Sequence, residues 1–324
     1  MRDEFVKHSD LVSFADSSVN LKRDDAKEYR EQVNRLRAKM EAFIKENPNV
    51  GLRKMLLSGS LAKGTSLKTL NDIDVAIHVT SPTAPTGEAD LLDWLVEQLR
   101  RVYPNMNADQ ISRGNHCVRI SFRGSGLDVD VVPIYEIADD PFGRGYLYAS
   151  DSGKRVLTSI PMHLEFIRKR KQSCDTCYAQ MIRFAKFWSA KRKVAIGDSF
   201  RCKSFLIELI MAKLLDSGAV LSNYPDALEE FFAYIVQTRL SEQIAFTDFF
   251  KASEIPKRSQ DVIEVLDPVN LENSIVSIYS QADRDTLVDQ AEEALDAISE
   301  ARHATTKGRA VDCWKQVFGP TFKV

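Results

Sequence analysis

Residues 59–79 read GSLAKGTSLKTLNDIDVAIHV, and two features of this stretch decide how the rest of the chain is read. The first is Gly59-Ser60, placed directly after a short, mostly apolar run over Lys54–Ser58. A glycine and a serine between a strand and a helix let backbone N–H groups approach an anion closely. The hydroxyl adds a donor, and the helix N-terminus favours negative charge. The pair reads as a phosphate seat, with Gly64 and Thr65 turning the chain toward the next strand. The second feature follows Asn71, where Asp72, Asp74, Ala76 and His78 alternate with Ile73, Val75, Ile77 and Val79. Period two means a strand, so both carboxylates project from one face. Acids this close repel unless a cation lies between them. Hard oxygen ligands of this kind suit Mg²⁺, with Mn²⁺ as the alternative.

Outward from this stretch the pattern repeats once. Residues 126–133 read GLDVDVVP, and Asp128 and Asp130 share a face against Leu127, Val129 and Val131. Burying two acids in an apolar strand is costly without compensation, so one of them is expected to be a third metal ligand. A single Asp-x-Asp would be read as the polar edge of an exposed strand. Two of them on adjacent strands, with a Gly-Ser seat upstream of the first, favour a metal and phosphate site. A further strand over His116–Phe122 joins Leu127–Val132 through Arg123-Gly124-Ser125-Gly126. Amphipathic helices are expected over 24–46, ending at Asn47-Pro48, and over Glu88–Val102, with the loop 80–87 before the latter. Residues 61–70 hold several good helix formers.

Beyond about residue 160 the strand signal disappears. Helices are expected over Pro161–Lys171, Cys177–Lys193, Lys203–Leu215, Tyr224–Arg239 and Thr286–Arg302, the start of the last being unclear near Asp283 or Arg284. The expected fold class is α+β: a mixed-sheet catalytic lobe with an N-terminal spine helix over 1–160, an all-helical lobe over 161–324, and a cleft between them.

Composition narrows the function. In 324 residues, 44 Lys+Arg nearly cancel 46 Asp+Glu, for a net charge of -2, so overall charge does not suit non-specific coating of nucleic acid. A local exception covers 151–213, with Arg168-Lys169-Arg170-Lys171 and Lys191-Arg192-Lys193. These runs are candidates for DNA contact, although solvated helix ends and triphosphate contacts are the simpler account. No stretch approaches a membrane span, and the first residues lack the apolar core of a secretory signal. The five cysteines read as reduced thiols, Cys174-x-x-Cys177 being a single pair, and the expected setting is the cytoplasm.

The pattern G-S-x-x-x-G-T, then D-x-D, then a strand acid just before Val131-Val132-Pro133 resembles the nucleotidyltransferase superfamily of DNA polymerase β, poly(A) polymerases and oligoadenylate synthases. The similarity is closer to the bacterial cGAS/DncV-like nucleotidyltransferases (CD-NTases) of CBASS anti-phage systems. It extends over the whole chain, through SFRGSGLDVDVVP, TSIPMHLEFI, RFAKFW, KSFLIELI and WKQVFG, toward the subgroup with HORMA-domain partners. The resemblance implies that Asp72, Asp74 and Asp130 are catalytic metal ligands, Asp128 being less favoured. It implies a triphosphate contact from Lys186, a second from Ser204, and stacking of Phe205 on the base. It further implies two-metal transfer from ATP, a cyclic oligonucleotide product with cyclic triadenylate leading, activation by a HORMA-domain protein and reset by a ring ATPase. Two alternatives are weighed against this: a nucleotidyltransferase acting on RNA or a small-molecule acceptor, and a catalytically dead scaffold, which the intact acids argue against.

Overall fold

The computed structural model describes residues 4–70, 72–80, 84–148, 154–174 and 176–324. Asn71, expected to open the acidic strand, and 81–83 of the expected loop lie outside them. The chain divides into two units. One is Leu21–Phe166; the other joins Met1–Asn20, carrying α1 (His8–Phe14), to Ile167–Val324.

The first unit is a sheet covered by helices. α2 (Arg23–Glu46) turns Val33, Leu36 and Met40 inward and stops where Pro48 forbids a helical Asn47. The antiparallel pair β1 (Leu52–Leu57) and β2 (Asp72–Val79) is connected through α3 (Gly59–Lys63). The helix stops there because Gly64, at φ 72°, takes the left-handed conformation. The helix formers that follow, out to Leu70, are therefore not helical, contrary to what their propensities suggest. α4 (Glu88–Val102) keeps acids in its first turn and Arg100 and Arg101 in its last, as the helix dipole favours.

Beyond α4 come β3 (Ile111–Arg113), β4 (Val118–Phe122), β5 (Leu127–Glu136), β6 (Gly145–Tyr148) and β7 (Arg155–Thr158). Among the described residues this is a seven-stranded mixed sheet, ordered β1-β2-β5-β4-β3, with β6 on β5 and β7 on β6. β5 runs on past Pro133, which falls between the stretch paired to β4 and the stretch paired to β6, where a missing N–H costs least. Ile73, Val75, Ile77, Val129, Val131, Val118 and Ile120 form one core with the apolar faces of α2 and α4. The opposite sheet face is thereby free to carry charge.

In the second unit, α5 (Ile160–Cys174), within which the division between units falls, leads to α6 (Thr176–Ile196), α7 (Ser204–Asp216) and α8 (Tyr224–Thr238). α9 (Gln281–His303) starts at a capping box, Ser280 accepting from the Asp283 N–H and Asp283 from the Ser280 N–H, which resolves the unclear helix start. α10 (Lys307–Phe318) follows. The core is aromatic: Phe14 packs on Phe187, Phe318 and Phe322, and Trp188 on Phe200 and Phe232. This unit also holds a small sheet of Gln243–Ile244, Glu264–Asp267 and Asn270–Ser274, where the sequence suggests helices alone. Glu264-Val265-Leu266-Asp267 is buried on both faces, so no alternation marks it. Its acids bond to the Ser259 and Val269 N–H groups.

Candidate active site

The site is built by strand register. β2 and β5 run parallel with Asp72 beside Asp128 and Asp74 beside Asp130. Their odd-numbered neighbours are sealed in the core, so the four carboxylates stand together on the other face. The bend after β1 lies against this array. The Ser58 N–H donates to the Asp74 carbonyl at 3.0 Å. Gly59 has φ +62°, and a Cβ there would fall 1.9 Å from Asp74 Oδ2. Glycine is thus demanded twice, by backbone conformation and by the carboxylate pressed against it. Ser60 shares a hydrogen bond with Ser66 at 3.1 Å between hydroxyls, and the Thr65 N–H closes the turn on the Ser60 carbonyl at 2.9 Å.

The array holds a cation that the sequence reading did not single out. β4 runs antiparallel to β5, placing Arg119 opposite Asp130 and Ser121 opposite Asp128. Arg119 donates Nε and Nη2 to the two Asp130 oxygens, each at 2.8 Å. It also lies 3.6 Å from Asp72 Oδ2 and 3.9 Å from Asp128 Oδ2. Its hydrogen bond to Asp130, with the charges of all three acids, holds the guanidinium firmly protonated. Ser121 donates to Asp128 Oδ1 at 2.6 Å. Burial, reinforced by the Asp130 carboxylate, pushes the Cys117 thiol up to about 11.

The donor set suits a hard divalent cation. All four ligand candidates are carboxylates on neighbouring strands, with side-chain exposures of 48% for Asp72 and 36% for Asp128 against 13% for Asp130. As the side chains stand, no group of three acidic, histidine or cysteine side chains among the described residues closes on a point where an ion would sit. The Arg119 pair, which engages both Asp130 oxygens, is one reason.

The remaining candidates belong to the second unit. Lys186 is buried on α6 and bonds through Nζ to Glu208 Oε1 at 2.6 Å. Tyr178 donates to the Glu208 carbonyl at 3.2 Å. Ser204 opens α7 and is exposed, with half-buried Phe205 next to it. Glu208, one helical turn beyond Ser204, is the second residue that sequence reading missed. Its burial is visible only once α6 and α7 are packed.

The sequence matches no family model. It is 44% identical over 323 residues, the full length of both chains, to a cyclic AMP-AMP-AMP synthase of Escherichia coli strain MS 115-1. It is also 30% identical over 319 residues to the CBASS oligonucleotide cyclase CdnC of E. coli strain KTE188, covering 97% of this chain and 96% of that one. The chain belongs to the CBASS oligonucleotide cyclases. Solved structures agree in fold: E. coli MS115-1 CdnC with ATP matches this cyclase at a TM-score of 0.95 and 44% identity, over 99% of this chain and 100% of that one. The CdnC:HORMA-deltaN complex matches at 0.93, over 99% of each chain. The cyclase is accordingly a nucleotidyltransferase, a class that typically uses divalent metal. Among its described residues no helix is long and apolar enough to cross a membrane.

Proposed function

We propose that this cyclase converts ATP into a cyclic oligonucleotide, with cyclic triadenylate as the product, and that the product is a cytoplasmic second messenger of anti-phage defence. The observation that carries the reading is the register placing Asp72 and Asp74 beside Asp128 and Asp130, with Gly59 against Asp74. A ribose hydroxyl of one nucleotide attacks the α-phosphorus of another. The new P–O bond forms as the bond to the β-phosphate breaks, and pyrophosphate leaves.

Asp72, Asp74 and Asp130 would hold Mg²⁺, or Mn²⁺ in its place. When bound, the metal neutralises charge on the triphosphate and lowers the pKa of the attacking hydroxyl. The chain's own residues orient the reactants. Gly59 and Ser60 seat the phosphates through backbone N–H groups and a hydroxyl. Lys186 supplies positive charge to the triphosphate while Glu208 fixes its ammonium, Ser204 adds a donor, and Phe205 stacks on the base. On this reading residues 1–160 supply the metal ligands and the phosphate seat, and residues 161–324 supply further contacts to the nucleotide.

E. coli MS115-1 CdnC has been solved with ATP and with HORMA-deltaN. That supports ATP as substrate here and a HORMA-domain protein as partner; its role as activator, and a ring ATPase that resets it, are carried by the family resemblance alone. DNA contact through the basic helices is the weaker part of the reading. Arg170 is buried against Asp216 and Asp248, Lys193 bonds Asp198, and Arg192 donates to the Gln316 carbonyl. Incubating the protein with labelled ATP and Mg²⁺, with and without the HORMA-domain protein, should give a phosphatase-resistant product with the mass of a cyclic trimer. Linear products alone would remove the cyclase step, and label on an added RNA or small-molecule acceptor would favour the adenylating alternative.

A further inference from the structure

Asp130 is the third ligand on the reading above, yet both its oxygens are engaged by Arg119 at 2.8 Å. A bidentate guanidinium–carboxylate pair is among the stronger polar contacts a protein makes. A divalent ion needs at least one of those oxygens. The same guanidinium lies 3.9 Å from Asp128 Oδ2, and its side chain is 42% exposed, so it has room to turn. Asp128 is held by Ser121 on Oδ1 alone. Its other oxygen faces the arginine.

We infer that Arg119 is a positioning residue that competes with the metal for Asp130, and that Asp128 is the seat to which the guanidinium moves when Asp130 turns to the metal. The inference rests on the reading of Asp72, Asp74 and Asp130 as metal ligands. Without metal, four carboxylates on adjacent strands repel, and the arginine offsets part of that charge. A guanidinium does not deprotonate in a protein, so it leaves Asp130 by moving rather than by titrating. Asp128 makes the movement cheap, because the charge passes from one carboxylate to its neighbour two residues along the strand. This gives work to Asp128, the first acid of Gly126-Leu127-Asp128-Val129-Asp130, which metal ligation alone does not require. It also explains why Ser121 fixes Asp128 on one side only. The arginine sets a threshold: metal must outbid an ion pair before three carboxylates assemble.

The test is Mn²⁺ binding to the full-length chain without nucleotide, read as free Mn²⁺ by electron paramagnetic resonance, with melting temperatures of the metal-free proteins alongside. Arg119→Gln removes the competitor and should tighten Mn²⁺ binding about tenfold, the scale of one charged hydrogen-bonded contact. Arg119→Lys keeps the charge but can occupy only one Asp130 oxygen, and should tighten binding about threefold with little change in metal-free melting. Asp128→Asn removes the alternative seat and should weaken binding about threefold. A purely structural arginine would lower the melting temperature in Arg119→Gln and leave Mn²⁺ affinity unchanged. A purely long-range charge effect would leave Arg119→Lys at the wild-type affinity. Either result overturns the inference. If Asp74→Asn binds Mn²⁺ as wild type does, the metal seat itself falls. If it loses binding while Arg119→Lys matches wild type, the seat stands and only the competition fails.

Discussion

The two units handle charge in opposite ways. On the β2–β5 face four carboxylates share one strand register, and two of them keep a third or more of their side-chain surface in water. In the helical unit Lys186 and Glu208 pair with each other and are almost wholly buried, with side-chain exposures of 6% and 3%. A buried pair brings little net stability, but breaking it strands a charge in a poor dielectric. A half-exposed acidic face has the opposite property. It tolerates the loss of an acid structurally, and only a bound cation makes full use of it. Stability and chemistry should therefore respond in opposite directions to substitution at the two places.

Asp74→Asn should show the largest effect. Product formation from labelled ATP should fall about a thousandfold or more, as when about 4 kcal/mol of transition-state stabilisation is lost. The melting temperature should hold or rise, because one repulsive charge is gone. A large drop in melting temperature would mean that the array is structural and would erase the contrast with the helical unit.

Glu208→Gln should do the reverse and cost about 3 kcal/mol of stability in denaturant unfolding by removing the carboxylate charge paired with the buried Lys186 ammonium. The double variant Lys186→Met with Glu208→Met should recover most of that. If Lys186 also contacts the triphosphate, the refolded double variant will still bind ATP poorly. Wild-type ATP affinity would make the pair a structural element alone.

Gly59→Ala tests how tightly the bend and the array are coupled. The added methyl must displace Asp74 and adopt a left-handed backbone, at about 1–2 kcal/mol of stability. Activity should drop about a hundredfold, the scale expected for an ångström of misplacement at a reacting centre. An alanine variant with unchanged activity would show that the carboxylate relaxes freely and that the close approach is incidental.

The array was largely legible in sequence because it depends on period-two alternation, which β2 and β5 display without interruption. Even the Arg119 contact is implicit there. The turn 123–126 pairs Phe122 with Leu127, and counting back along both strands sets Ser121 against Asp128 and Arg119 against Asp130. It was missed because an arginine on a strand carries no signal until the register is worked through. The small sheet of the second unit was not legible for a different reason. Its central strand is buried on both faces, so it shows no alternation, and its acids are satisfied by nearby loop N–H groups whose approach no sequence pattern signals. The same holds for Glu208, an acid in the apolar run Ser204–Asp216 whose partner lies on another helix. Opening segment α1 escaped because seven residues are too few to show a helical period, and α10 because its apolar residues, among them Ala310, Cys313, Val317 and Phe318, mark a face only once they meet partners such as Phe14.

His78 offers the mildest test of the contrast, since it sits on the same face of β2 as the aspartates yet is fully buried. Neither ring nitrogen has a hydrogen-bond partner among the described residues, although Glu136 Oε1 lies 3.8 Å from Nδ1. Burial, with a smaller push from Lys54 and against the pull of Glu136, lowers its pKa to about 4 from 6.5. The folded chain therefore holds a neutral ring where the unfolded chain binds a proton. The sign follows from proton linkage: between these values the unfolded state binds more protons, so stability is fully present above about pH 6.5 and declines as pH falls toward 4. His78→Gln, which does not titrate, should flatten that part of the melting-temperature profile by a few degrees, the shift expected of about 3 kcal/mol in a chain of this size. If the profile of the variant keeps the wild-type slope between pH 6.5 and 4, the ring is hydrated in solution. The burial that separates this end of the β2 face from its acidic end would then be weaker than the packing indicates.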